Sequence, residues 1–375
     1  MKGIYVDDQP EQAQVISQRL TSDGVSIEVI EPSEDLLSLA SAISEARPDF
    51  VLLDYRLDQF AVSGSNSSVG YRAAPLAQQL RDRTDEPATA EFPIILISSE
   101  DKIRKLFRPE KTAHDLFDWK LIKTKVGEAD GSPNVILGLS QGYSHLKTLD
   151  GNFKDLSVFG LNEDLDFLID HQELVHALEQ AEYAHVAARY LLTFVVKRQG
   201  ILLDRRNLYA RLGISAASEG IAEIEALFSA ERYNGVFAQC RDLWWTELFE
   251  SRFRDYFQVA PNMIPAAERA ARLTDKVGCP VTSAADTWDD SRNFYPSFAC
   301  ACCGEPTALN HSVACFDSRL PSFVQRLRVC YRCVQQDRIQ EERSAHEDDH
   351  HLQVDAKEQI IADMLRRHQL LPGAA

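Results

Sequence analysis

Long apolar runs are missing from this 375-residue chain, and no stretch reaches the roughly 18 consecutive apolar residues that a membrane helix needs. A secretory h-region is missing as well. Met1-Lys2-Gly3 leads straight into a strand-like segment, so a cytoplasmic location without a membrane partner is expected. Basic residues are outnumbered: 40 Lys and Arg stand against 57 Asp and Glu, for a net charge of −17. That balance opposes nonspecific binding to nucleic acid or to an anionic membrane and leaves room only for a local basic face. Residues 131–375 contain no glycine-rich phosphate loop, no nucleophile–base constellation and no repeat period. With 45% apolar and 26% charged residues, the chain has material for a buried core and a length suited to two or three domains.

The first third alternates between two periodicities. Apolar runs at residues 3–6, 25–30 ("VSIEVI"), 49–57 ("DFVLLDYRL"), 92–99 ("FPIILISS") and 117–123 ("FDWKLIK") read as strands. Between them lie helical patterns at 11–22, 36–46 and 70–82, the last with a start disturbed by Pro75, and another beginning at "KIRKLF" (102–107). Strands that are apolar throughout, separated by helices, predict a doubly wound five-stranded parallel sheet covered on both faces. Ligands of such sheets sit at the carboxyl ends of the strands, where Asp7, Asp8, Asp54, Ser98 and Lys123 all fall. Three carboxylates converging there make a hard-oxygen site suited to Mg²⁺. The Ser98 hydroxyl and the Lys123 ammonium would complete a pocket that stabilises a phosphoryl group on Asp54.

These stretches resemble the receiver domain of bacterial response regulators. "YVDDQP" matches the acidic pair followed by proline, "VLLDYRL" the phosphoacceptor strand, and "PIILISS" the strand ending in Ser or Thr. The resemblance covers about residues 1 to 130. It implies that Asp7 and Asp8 hold Mg²⁺ and that the backbone carbonyl of Arg56 is a further ligand. It also implies that Asp54 accepts phosphate from a histidine kinase or another phosphodonor, with Ser98 as the switch hydroxyl and Lys123 as the ion-pairing lysine. The chain departs from the family in three places. Asp58 stands where a proline is usual and "QFAVSGSNSSV" lengthens the loop before Gly70; Thr124 rather than proline follows Lys123; and Lys120 competes with Lys123 for the lysine role.

Residues 131–290 read as a helical domain after the linker-like "DGSPN", with "VILGLSQGYSHL" ambiguous. Helices are expected over 174–200, 206–214, 221–233 and 236–257. On the last of these, Trp244 and Trp245 would lie about 100° apart and be buried together only if the helix is covered on two sides. "ARLGI" suggests a helix and turn, and Arg205, Arg206 and Arg211 are the sole basic candidates there for reading DNA.

Of eight cysteines, Cys240 and Cys279 stand alone and six crowd into 300–333. Two C-x-x-C units, Cys300/Cys303 and Cys330/Cys333, can place four thiolates around structural Zn²⁺. The intervening 26 residues suit a zinc ribbon or a treble-clef knuckle with a long excursion. Cys302, His311 and Cys315 could each replace one of the four, or could simply be packed or exposed. Arg319, Arg326, Arg328, Arg332 and Arg338 make this module locally basic, the best place for a nucleic-acid or acidic-partner contact. "HEDDHH" (346–351) reads as solvated surface, and 356–371 as an amphipathic helix that docks. The expected plan is a receiver-like domain at 1–130, a helical domain at 131–290, a zinc module at 291–340, and a helix and tail at 341–375. The expected function is phosphorylation-controlled signalling through a protein partner of the output region, with no enzymatic activity beyond autophosphorylation and autodephosphorylation. A pseudo-receiver scaffold, or a nucleic-acid-binding effector acting through the zinc module, is the alternative.

Overall fold

A computed structural model describes residues 1–21, 24–61, 67–82, 91–99, 115–127, 132–316, 320–339, 352–369 and 371. The helix expected from Lys102, Arg319 and the "HEDDHH" stretch lie outside the described residues. The chain divides into two compact units. One comprises Met1–Asp166, Leu174–Leu192 and Gly235–Arg241; the other comprises Phe167–Glu173, Thr193–Asn234 and Asp242–Ala375. Among the described residues, no helix is long and apolar enough to cross a membrane.

In the first unit, strands β1 (Lys2–Val6), β2 (Ser26–Ile30), β3 (Phe50–Asp54), β4 (Ile94–Ser98) and β5 (Trp119–Ile122) form one sheet in the order β2-β1-β3-β4-β5. All four pairings are parallel. Every residue of β3 and β4 is buried, which is why both read as unbroken apolar runs. Gly3 is required where β1 meets β3, because a Cβ there would lie 2.2 Å from the Phe50 ring. Helix α1 (Pro10–Leu20) starts on a proline, whose missing N–H costs nothing at a helix start. Helix α2 (Leu36–Glu45) is capped by Asp35, which accepts from the N–H groups of Leu37 and Ser38. Helix α3 (Ala73–Asp82) tolerates Pro75 because it lies in the first turn. The order reverses between β1 and β3, so a crevice opens at the carboxyl ends of those two strands.

The sheet unit continues past residue 130. The ambiguous stretch after the linker is helix α4 (Ser132–Thr148), and its glycines explain the ambiguity. A Cβ at Gly142 would lie 2.3 Å from the Phe237 ring, and one at Gly138 would lie 2.8 Å from Cys240 Sγ. The two glycines, one turn apart, make a flat face that admits the 237–240 segment. Gly142→Val should overpack this contact and cost about 1–3 kcal/mol, measured by urea unfolding.

The sequence pattern at 174–200 predicts one helix; the structure has Gln172–Glu179, then Ala184–Leu191, then a π-type turn at Leu192–Val196. The second helix has its own start because Glu91 accepts the N–H of His185 in its first turn, 2.7 Å away.

The second unit corrects the expected 236–257 helix. Leu243–Trp245 is strand β7, paired antiparallel with β6 (Leu202–Asp204), and the helix begins only at Thr246 and runs to Phe257. Trp244 and Trp245 are both buried because neighbouring strand residues point to opposite faces. Trp244 donates to the Phe228 carbonyl and stacks under the Arg232 guanidinium, while Trp245 meets Tyr233 edge-on. The helix-and-turn reading holds. Asp204 caps Arg205–Leu212, and Gly213 ends it at a left-handed φ of 68°. Arg205 pairs with Glu225 and Asp242, and Arg211 with Glu250, so these arginines serve the unit itself.

The cysteine region is built from two short hairpins, β8 (Pro296–Ala299) with β9 (Pro306–Ala308) and β10 (Ser312–Ala314) with β11 (Arg328–Cys330). The terminal helix Gln359–Arg366 docks as expected, burying Ala362 and Leu365 in the same core as Cys300, Cys330 and Cys333. That core also includes Trp288, so the region built around the cysteines reaches beyond 291–340 on both sides.

Candidate functional site

Asp7 and Asp8 follow β1 directly, and Asp54 is the last residue of β3. The register Val6↔Leu53 makes them neighbours, and the three buried carboxylates offer oxygens within 4.8 Å of one another. Buried like charges this close must be compensated. Lys123, the residue after β5, places Nζ 2.7 Å from Asp7 Oδ2 and 3.0 Å from Asp54 Oδ1. Burial alone would depress the lysine, but Asp54 and Asp7 more than reverse that and hold its ammonium above the ordinary value. Lys120 is paired with Leu96 in mid-strand, three residues before Lys123.

Backbone and side-chain donors supply the rest. Gln9 N–H donates to Asp7 Oδ1 at 2.9 Å, and Tyr5 O–H donates to Asp7 Oδ2 at 2.5 Å. Asp8 Oδ2 accepts from the N–H groups of Gln59 and Phe60 at 2.8 and 2.9 Å, so Asp8 anchors the start of the lengthened loop. Arg56 N–H lies 3.1 Å from Asp54 Oδ2, and its guanidinium pairs with Asp58, the residue in the usual proline's place. Ser98 ends β4 one residue beyond Ile97, the partner of Asp54. Its hydroxyl is fully buried and, among the described residues, has no hydrogen-bond partner.

Three carboxylates against one ammonium, with hard oxygen donors and an unsatisfied hydroxyl at the same edge, fit a hard divalent cation and an oxyanion beside it. Sequence reasoning brought Asp7, Asp8, Asp54, Ser98 and Lys123 to this edge but passed over Tyr5 as one more apolar strand residue. The signal was the i, i+2 alternation that puts Tyr5 and Asp7 on one face of β1.

A second centre lies in the other unit. Cys300, Cys303, Cys330 and Cys333 bring their Sγ atoms within 4.8 Å of one another, and all are free thiols. The first pair sits on the turn between β8 and β9. Gly304, at φ 78°, donates its N–H to the Cys300 carbonyl. The second pair spans the end of β11 and the first turn of the helix Tyr331–Gln335 rather than a second hairpin turn. The N–H groups of Cys302 and Cys330 point at Cys300 Sγ, at 3.4 and 3.3 Å. Four soft sulfurs so arranged fit a tetrahedral thiophilic ion.

Of the alternative ligands, Cys302 lies against this set, with its thiol in contact with those of Cys300 and Cys333, whereas Cys315 and His311 stand apart from it. Cys315 bridges to Val354, and burial pushes its thiol up to about 12. His311 Nδ1 lies 2.7 Å from Asp286 Oδ2, with Asp289 close by. The arginines of the expected basic face are engaged as well: Arg326 with Asp355, Arg328 with Glu358, and Arg332 with Asp290.

No protein-family model matches this chain, and no curated protein matches it. Solved structures do resemble part of it, among them the following two. One is the signal receiver domain of a modulated diguanylate cyclase from Desulfovibrio desulfuricans, described as an example of alternate folding. It is 18% identical with a TM-score of 0.27, covering 40% of this chain and 96% of that one. The other carries a trimeric coiled-coil segment of yeast Spc42 fused to another structure. It is 16% identical with a TM-score of 0.28, covering 38% of this chain and 83% of that one. The receiver-like fold rests on the sheet order and the strand-end residues described above.

Proposed function

We propose that the first unit is a phosphoryl-accepting receiver of the response-regulator type, with Asp54 as the acceptor and Mg²⁺ held by Asp7 and Asp8. The observation that carries this reading is Lys123 Nζ bridging Asp7 and Asp54, with the unsatisfied Ser98 hydroxyl at the end of the strand next to that of Asp54. A carboxylate oxygen of Asp54 attacks the phosphorus of a histidine kinase or small phosphodonor. The new O–P bond forms as the donor's bond to phosphorus breaks, and the donor leaves with that electron pair. Bound Mg²⁺ would supply positive charge to the phosphoryl oxygens. Lys123 turns from Asp54 toward the phosphoryl group, and Ser98 donates the hydrogen bond that it otherwise lacks. The Arg56 carbonyl would be a further cation ligand. The second unit is then the output region, acting on a protein partner, with Zn²⁺ held by the four cysteines as a closed structural centre.

The test is Mg²⁺-dependent labelling by a small phosphodonor, followed by mass spectrometry. One acyl phosphate per chain is expected, lost in Asp54→Asn. Asp8→Ala should weaken cation binding far more than Ser98→Ala, because a hydroxyl is not a direct ligand here. Label that persists in Asp54→Asn, or none on the unmodified chain, defeats the reading. Cation binding without any label would leave a pocket that only binds metal, as in a pseudo-receiver scaffold.

A further inference from the structure

Tyr5 is fully buried, and its hydroxyl makes one hydrogen bond among the described residues, to Asp7 Oδ2 at 2.5 Å. A phenol in a dry sheet needs a partner for its O–H. Here that partner is a carboxylate of the acidic pocket rather than a nearby carbonyl. A carboxylate has about four acceptor positions. On Asp7, Tyr5 O–H and Lys123 Nζ occupy Oδ2 and Gln9 N–H occupies Oδ1, which fixes both oxygens and leaves room for a further partner. Lys123 is shared with Asp54, 3.0 Å away, so Tyr5 is the side-chain donor that remains on Asp7 when the lysine turns elsewhere.

We propose that Tyr5 is a positioning residue of the cation site: its hydroxyl orients Asp7 for the metal and shares the Asp7 charge, so that Lys123 is free to follow the phosphoryl group. This rests on reading the pocket as a Mg²⁺-dependent phosphoryl site. Hydrogen-bond partners of metal ligands orient them, and removing one costs about 10- to 100-fold in metal affinity.

The test is titration of the full chain with Mn²⁺ alone, using Tyr5→Phe, Asp7→Asn and the double variant. Tyr5→Phe deletes one oxygen and keeps the ring that fills the sheet, and far-UV circular dichroism and melting report whether the fold is kept. Tyr5→Phe should weaken Mn²⁺ binding at least about 10-fold in the unmodified background. It should have far less effect once Asp7→Asn is present, because the hydroxyl then has no anionic ligand to orient. Equal drops in both backgrounds, or a Tyr5→Phe protein that melts early but binds Mn²⁺ normally, would give Tyr5 a structural role and overturn the proposal. If the unmodified chain binds no divalent cation, the receiver reading itself falls. If it binds and Tyr5→Phe binds equally, only the Tyr5 assignment falls.

Discussion

Removing metal from the four-cysteine centre should unfold the part of the second unit built around it, and Cys330→Ser should do the same without a chelator. The core there is small: two three- and four-residue hairpins, a five-residue helix, and the Ala362 and Leu365 contacts of the terminal helix. Four buried or half-buried thiols with no disulfide cannot hold it alone. Structural zinc contributes about 10–16 kcal/mol in small zinc modules, as large as the whole stability of a typical domain at about 5–15 kcal/mol. About one zinc per chain is expected by elemental analysis. Chelation should open residues 296–366 to protease while the sheet unit keeps its own core and cation response. Cys315→Ser should be mild, because that thiol lies outside the four-sulfur set. A metal-free preparation that resists protease across 296–366, or a Cys315→Ser defect as severe as Cys330→Ser, would show that the metal centre is wrongly assigned. Metal affinity should also fall with acidification, since the ligands must lose their protons to bind.

How much of this was legible follows from how strongly burial constrained each segment. β1, β3 and β4 are covered on both faces, so their apolar runs named them, and their ends named Asp7, Asp8, Asp54 and Ser98. The choice of Lys123 over Lys120 followed from where the β5 apolar stretch stops, and Lys123 is the lysine that bridges Asp7 and Asp54. The C-x-x-C spacing named the four thiols, although the excursion between the pairs concealed β9 and β10. The helical middle was poorly legible for a physical reason. Trp244 and Trp245 sit next to a helix, and a three-residue strand is too short to impose a period on the pattern. Gly138 and Gly142 weakened the α4 pattern because the contacts that need them come from residues 237–240, about a hundred positions away. The break before Ala184 depends on Glu91, equally remote in sequence.

Asp118→Ala should be the most damaging single substitution in the sheet unit. Asp118 is buried at the entry to β5. It accepts from Arg81 Nη2 of α3 at 2.6 Å, from Ile94 N–H of β4 at 2.7 Å, and from Tyr143 O–H of α4 at 2.7 Å. One carboxylate thus ties two helices and two strands, and Arg81 Nη1 adds a bond to the Phe92 carbonyl at 3.0 Å. Alanine would leave the Arg81 charge buried without its acid and the Tyr143 hydroxyl without its acceptor. Breaking a buried pair from one side costs about 3–5 kcal/mol, which for a unit of this size lowers the melting temperature by roughly 10 °C. Tyr143→Phe should cost about 1 kcal/mol, the worth of one hydrogen bond. Arg81→Met with Asp118→Leu should recover part of the Asp118→Ala loss, because no charge is then left behind. The same site sets an alkaline limit. Burial holds the Tyr143 phenol well above the ordinary tyrosine value. A raised folded-state value stabilises below the unfolded value of about 10 and loses that contribution as the pH rises past it. Stability of the sheet unit should therefore decline above about pH 10, less steeply in Tyr143→Phe. Denaturant melts of the three variants and the unmodified chain at neutral pH, and of the unmodified chain and Tyr143→Phe at pH 9 to 11, check both effects. An Asp118→Ala protein that melts with the unmodified chain would remove Asp118 as the tie between α3, the sheet and α4.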